Sequence, residues 1–246
     1  MSPEGDSFYD APGVLEAYTA GRPSGHSHPN EVMEEPAVLA ALGDVTGLRV
    51  LDLGCGDASF GQRLLEQGAT AYHGVDTSTR MLSVARENLV GRGGRLTQAA
   101  IEDFSADDSS FDLVVSRLAL HYVEPLGAVL GRCRRWLDPA GHLLITVVHP
   151  MITSHDARAS TDEVRTSWVV DNYFESGPRP QSWLGGSVMF YHRTVEQYVS
   201  SVLDAGFRLV GLSECEPQES TFGGDADEYT RRRRIPLFLL IRAAVA

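Results

Sequence analysis

Lysine is missing from this chain altogether: all 21 basic residues are arginine. That absence excludes a Walker lysine, a Schiff-base lysine for pyridoxal phosphate and a kinase-type strand lysine. It excludes the Tyr-x-x-x-Lys pair of short-chain dehydrogenases as well, because arginine keeps the charge but is no titratable amine. Cysteine is scarce: Cys55, Cys133 and Cys215 are widely spaced and suggest neither a disulfide framework nor a zinc pattern. Positive charge is in deficit, and a net charge of −12 argues against a nucleic-acid surface. No apolar run reaches the length of a membrane span. The opening "MSPEGDSFYDAPG" lacks the charged and apolar regions of a signal peptide. The expectation is a cytoplasmic monomer or homodimer with neither a nucleic-acid nor a membrane partner.

What is present suits one α/β domain with a small cap: 246 residues, 43% of them hydrophobic. "NEVMEEPAVLAALGDVTG" reads as a short helix up to Gly43, and "LRVLDLGCG" as a buried strand ending in a glycine turn. "SFGQRLLEQGA" has Phe60, Leu64 and Leu65 on one helical face and Gly68 as its stop. "AYHGVD" is a second strand, "STRMLSVARENLVGRGG" a second helix, and "RLTQAAIEDF" a third strand and loop. "FDLVVSRLALHYV" begins as a fourth strand, "PLGAVLGRCRRWLDPAG" is a helix closed by a Pro-Ala-Gly turn, and "HLLITVVHP" is a fifth strand.

This β–α alternation predicts a mostly parallel sheet with helices on both faces. Periodicity then fails across 150–192, which holds six aromatic residues among Gly and Pro. One more helix, "TVEQYVSSVLDAGF", precedes the strands "RLVGLSE" and "IPLFLLIRAAV". No helix is expected between these last two, so they are read as an antiparallel closing pair. Arg231–Arg234 read as a solvated loop. The expected division is a helical lid over 1–46, a cofactor-binding half over 47–149, a substrate-side insertion over 150–192 and a closing part over 193–246.

The stretch "VLDLGCGDASFG" places Gly54 and Gly56 where a chain turns sharply and brings bare backbone against a ligand. The helix after it starts near Ala58, so its free N–H groups could hold an anion. A dinucleotide site wants a third glycine three positions after the second, and Ser59 stands there. Asp52, just ahead of the loop, repels a pyrophosphate and attracts an amino group. Asp76 ends the second strand about 20 residues on, placed for ribose hydroxyls; Asp is also a favoured helix cap, and the two roles are compatible.

In this order and spacing, "VLDLGCGDASFG", "GVDTSTRMLSVA", "SFDLVVSRLALHYV" and "WLDPAGHLLITVVHP" resemble a class I S-adenosylmethionine-dependent methyltransferase. The later pieces "VVDNYFESGPRPQSWLGG" and "MFYHRTVEQYVSSVLDAGF" are similar to the substrate half of bacterial small-molecule (type 11-like) members. The implied fold is Rossmann-like: seven strands with an antiparallel last strand, and a small aromatic-rich cap. By resemblance, Asp52, Gly54 and Gly56 hold the methionine end of the cofactor, with Cys55 and Asp57 in the same turn. Asp76 binds the ribose, Thr77 and Met81 wall the adenosine, and Ile101 and Glu102 meet the adenine edge. Ser116 lies beneath the sulfonium, and Tyr18 closes over the cofactor. The chain departs from the family at Ala58, often Gly, and at Ala100, often an acid.

Methyl transfer from a sulfonium is an in-line displacement that needs orientation in a dry pocket. A base is required only for an acceptor protonated at neutral pH. His121 and Tyr122, after the fourth strand, and His149, ending the fifth, fall on the active edge of such a sheet. His149 is the first candidate base and His121 the second; His192 reads as a packing or capping residue. Tyr9, Tyr122, Trp168, Tyr173, Phe174, Trp183 and Tyr191 are the candidate wall for a small-molecule acceptor, since stacked rings hold flat ligands and exclude water. No metal is expected, because His26 and His28 are two ligands without partners. S-adenosylhomocysteine is the implied product. An NAD(P)-dependent oxidoreductase and a non-catalytic cofactor-binding partner are the competing readings. The missing third glycine and missing lysine weigh against the oxidoreductase. A nucleic-acid methyltransferase is disfavoured by charge and by the lack of an Asp/Asn-Pro-Pro-aromatic motif.

Overall fold

A computed structural model describes residues 8–16, 28–154, 168–183 and 186–246. Strands β1 (Arg49–Leu53), β2 (Ala71–Asp76), β3 (Arg95–Gln98), β4 (Phe111–Arg117), β5 (Leu137–Val148), β8 (Phe207–Ser213) and β9 (Phe238–Val245) form one sheet. Its order is β3-β2-β1-β4-β5-β9-β8. Pairing is parallel from β3 to β5, and β9 alone is reversed, antiparallel to both β5 and β8. Strand order therefore turns outward in both directions from β1 and β4. A crevice beyond their carboxyl ends is where ligands bind in open α/β sheets.

Both faces are covered, as near-continuous apolar strands require. Leu51, Leu53, Val114, Leu239 and Ile241 face α4 (Leu126–Trp136) and α5 (Val195–Asp204), with Trp136, Tyr198 and Val202 in the same core. Val50, Leu113, Val115, Leu144 and Leu240 face the other way, toward α1 (Glu35–Leu42), α2 (Ser59–Glu66) and α3 (Thr79–Asn88). Asp52 alternates with Val50, so its carboxylate enters this second layer beside Tyr72.

Three local readings are corrected. The Pro-Ala-Gly segment is no turn between helix and strand: β5 starts at Leu137, opposite Phe111, and pairing resumes at His142 opposite Leu113 after a bulge. A further helix, α6 (Ala226–Arg232), lies between β8 and β9 after a turn at Glu219–Phe222. The closing pair is antiparallel all the same. Its sequence "ADEYTRR" carries no apolar period, and its N-cap is Asp225, which accepts from Glu228 N–H at 2.9 Å. Arg231 and Arg232 are therefore not loop residues; both bind the Glu228 carboxylate. The aperiodic insertion contains a separate hairpin, β6 (Gly177–Trp183) and β7 (Gly186–His192), disguised by Pro178 and Pro180 in β6.

Candidate active site

Asp52 is 2% exposed, and its Oδ2 accepts the Tyr72 hydroxyl at 2.8 Å. Burial pushes its carboxyl up to about 7, against the Tyr72 hydrogen bond and the Arg117 charge, which both lower it. At Gly54 the backbone has φ +80°, and a Cβ there would lie 2.3 Å from the Cβ of Ala119. The N–H groups of Gly54 and Cys55 both donate to the Val75 carbonyl, at 2.8 and 3.0 Å. At Gly56, φ is +54° and the space a Cβ would enter is open. Its N–H donates to Asp76 Oδ2 at 2.9 Å, and Ser78 N–H donates to the other oxygen at 2.9 Å. Burial raises the Asp76 carboxyl, while the backbone donors Ser78 and Gly56 hold it down.

The expected free helix N-terminus is partly corrected. Asp57 Oδ1 already accepts from Ser59 N–H at 3.1 Å and from its hydroxyl at 2.8 Å. Ala58 sits in the left-handed region at φ +53°, a conformation that glycine adopts without a Cβ penalty. Ile101 is buried against Gly54, with Cδ1 3.8 Å from where a Gly54 Cβ would be. Glu102 is half-buried and Thr77 exposed. Met81 is buried, its N–H capped by Ser78 Oγ at 3.0 Å. Ser116 is fully buried and its hydroxyl donates to the Leu53 carbonyl at 2.7 Å, so it braces β1 against β4.

Over the crevice, the rings of His121, Tyr122 and Phe190 cluster with centroids 4.4 to 5.1 Å apart. The Tyr9 hydroxyl lies 3.3 Å from that of Tyr122. Tyr9 is placed by Asp10, whose carboxylate caps α3 by accepting from Ser78 Oγ, Arg80 N–H and Thr79 N–H at 2.6, 2.9 and 3.1 Å. Phe190 is one of the six aromatic residues of the 150–192 segment, whereas Asp10, a cap reaching across 68 residues, carries no sequence signal. Tyr191 points its hydroxyl to Glu124 at 3.5 Å, beside the cluster.

Other candidates are not brought there. Phe174 is 85% exposed. The Tyr173 hydroxyl accepts from Val195 N–H at 3.2 Å, tying the insertion to the start of α5. His192 bridges the Tyr173 carbonyl at 2.8 Å and Thr153 Oγ1 at 2.5 Å, the packing role expected of it. Trp168 is half-buried outside any strand or helix. Trp183 ends β6, its side chain beyond the described set, and Tyr18 and His26 lie outside the described residues.

The two histidines differ from the expectation. His149 Nδ1 accepts from Met151 N–H at 3.1 Å, which leaves the proton on Nε2, facing Glu214 at 3.1 Å. Both its nitrogens are engaged within the protein. His121 Nδ1 accepts from Val148 N–H at 3.4 Å, which leaves Nε2 as an N–H donor. Burial, with the Arg193 charge, lowers His121 to about 3, so it is neutral throughout the physiological range.

A pyrophosphate does not suit this crevice: the loop amides of Gly54, Cys55 and Gly56 are consumed, and the buried Asp52 and half-buried Asp76 carboxylates flank them. A ligand with an ammonium and a ribose does suit it. Asp52 can meet the ammonium, Asp76 keeps lone pairs for hydroxyls, and the bare face of Gly56 is open. The sheet order is the one expected of a class I S-adenosylmethionine-dependent methyltransferase.

Comparison with known proteins agrees. Residues 51–145 match the family model described as "Methyltransferase domain". A crystal structure of an S-adenosylmethionine-dependent methyltransferase from Mesorhizobium loti is 34% identical, with a TM-score of 0.78 over 85% of this chain and 96% of that one. A second crystal structure, from Listeria monocytogenes, is 33% identical, with a TM-score of 0.79 over 87% of this chain and 96% of that one. A ubiquinone biosynthesis O-methyltransferase of Vibrio parahaemolyticus is 31% identical over 121 residues, 48% of this chain and 51% of that enzyme. The chain belongs to the S-adenosylmethionine-dependent methyltransferases, and its fold is the expected Rossmann-like sheet. Among the described residues no helix is long and apolar enough to cross a membrane. None of their His, Cys, Asp and Glu side chains gather in a group of three that could hold a metal.

Proposed function

We propose that the chain methylates an oxygen, nitrogen or carbon atom of a small organic acceptor held against the ring cluster of His121, Tyr122 and Phe190 under Tyr9. The observation that carries this reading is the place of the cluster. It stands directly after β4, on the edge where β1 ends just past Asp52 and β2 ends at Asp76, and the hairpin supplies Phe190 from the other side. S-adenosylmethionine supplies an activated methyl on a sulfonium. Asp52, Gly54 and Gly56 would hold its methionine end and Asp76 its ribose, with Ile101 and Glu102 beside the adenine. Cys55, Asp57, Thr77 and Met81 support that site, and Ser116 fixes the strands beneath it. The protein's share of catalysis is orientation and exclusion of water.

Proton removal falls to neither histidine. His121 presents an N–H, which orients an acceptor lone pair instead of taking a proton. The acceptor therefore arrives as a nucleophile without a proton to lose, or loses it to solvent. In the same reading, residues 1–46 form the lid, 47–149 the cofactor half, 150–192 the acceptor side and 193–246 the closing part of one domain. It works in the cytoplasm as a monomer or homodimer, without nucleic acid.

The test is S-adenosylhomocysteine release with a panel of small acceptors. His149→Gln is expected to keep kcat within about threefold, while His121→Leu raises KM for the acceptor about tenfold, the size of one lost hydrogen bond. No limb near the ordinary histidine pKa is expected in the kcat profile, since His121 is already neutral there. Loss of turnover in His149→Gln with an unchanged melting temperature would sink the assignment.

A further inference from the structure

Tyr72 is buried at 2% exposure, yet its ring follows an unusual path. It leaves β2 and passes beneath α2, where a Cβ on Gly61 would stand 2.1 Å from Tyr72 Cζ. Only a glycine at this turn of the helix lets the phenol through. The route ends with the hydroxyl 2.8 Å from Asp52 Oδ2. Among the described residues no other hydrogen bond to the Asp52 carboxylate is present. An isolated buried carboxylate prefers to be neutral, and a neutral Asp52 would not attract an ammonium.

We propose that Tyr72 is a positioning residue for the cofactor: its hydroxyl fixes both the direction and the charge of the Asp52 carboxylate, and so sets the affinity for the methionine end. The inference rests on Asp52 meeting that end. Five groups act on Asp52 or stand against it. Tyr72 donates from β2, Arg117 stands on β4, Asp76 ends β2, and Asp57 and Cys55 belong to the loop. Tyr72 and Arg117 favour the ionised form, whereas burial and the other two carboxylates oppose it. Because Asp52 titrates near 7 in the protein alone, cofactor affinity weakens as pH falls through that range. Removing the Tyr72 hydroxyl moves the weakening to higher pH.

The experiment is calorimetric titration of the full chain with S-adenosylhomocysteine from pH 5.5 to 8.5, for the wild type, Tyr72→Phe and Asp52→Asn. The ligand's own titration is common to all three curves. The expected result is a Kd that rises below about pH 7 in the wild type, with the midpoint about one unit higher in Tyr72→Phe, so that affinity near pH 6.5 drops about tenfold. Asp52→Asn is expected to bind weakly with no midpoint in this range. Replacing Tyr72 by a ring-fluorinated tyrosine, a stronger donor of the same shape, is expected to move the midpoint down, and it serves should Tyr72→Phe not fold. A purely packing role for Tyr72 would scale Kd equally at every pH; coincident midpoints in the wild type and both Tyr72 variants would overturn the proposal. Undiminished binding by Asp52→Asn would overturn the placement of Asp52 itself.

Discussion

Gly54→Ala is expected to abolish binding of S-adenosylhomocysteine and to lower folding stability by about 2–4 kcal/mol. Two costs combine. The added Cβ would stand 2.3 Å from Ala119 Cβ, a backbone-anchored atom that cannot swing aside. The residue would also have to hold φ +80°, where an L side chain is strained. Gly56→Ala separates these terms, because nothing lies within 4 Å of its would-be Cβ. Its stability cost is therefore only about 1 kcal/mol from the left-handed backbone, while the methyl intrudes on the cofactor's side of the loop. Urea unfolding of both variants reads the difference. Equal stability losses would show that the contact with Ala119 is not what demands a glycine at 54.

Arg117→Met is expected to cost about 3–5 kcal/mol, because it strands a buried charge. Glu34 is fully buried, and both its oxygens are spent on Arg117, with Thr146 Oγ1 adding a bond to Oε1 at 2.7 Å. The guanidinium also covers the Phe60 ring at 4.5 Å, next to the glycine loop. These contacts lock the turn Asn30–Glu34, β4, β5 and α2 into one frame under the crevice. The double variant Glu34→Met/Arg117→Met should recover much of the loss, since it leaves no lone charge behind. Cofactor affinity should stay weaker in both, as Arg117 is one of the charges holding Asp52 ionised. Chemical denaturation of the two singles and the double gives the coupling directly; additive losses would contradict it.

What could be read beforehand and what could not divide along physical lines. The strand ends that carry Asp52 and Asp76 were legible because alternation and apolar runs mark strands locally, and the glycine turn fixes where β1 stops. The partners of those acids were not. Tyr72 reads as an ordinary strand residue until Gly61 is seen to make room for it from another element. Glu34 and Thr146 are separated by 112 residues, and no periodicity in either segment announces the bond. Asp10 looks like part of a mixed leader and is in fact the cap that seats Tyr9. His149 was the natural base by its position at the end of β5. Its local bonding was not legible: an N–H two residues further on occupies its Nδ1 lone pair. Helix α6 escaped notice because it is held by charge pairs and a cap in place of an apolar stripe.

The central claim is that the crevice between β1, β2 and β4 holds S-adenosylmethionine through Asp76 and the glycine loop. Calorimetric titration with S-adenosylhomocysteine and, separately, NADH tests it most directly, on the wild type and on Asp76→Ala. The wild type is expected to bind S-adenosylhomocysteine and not NADH. Asp76→Ala is expected to bind S-adenosylhomocysteine on the order of a hundredfold more weakly, the worth of two hydrogen bonds to a carboxylate. Binding of NADH by the wild type, or unchanged affinity in Asp76→Ala, would contradict it.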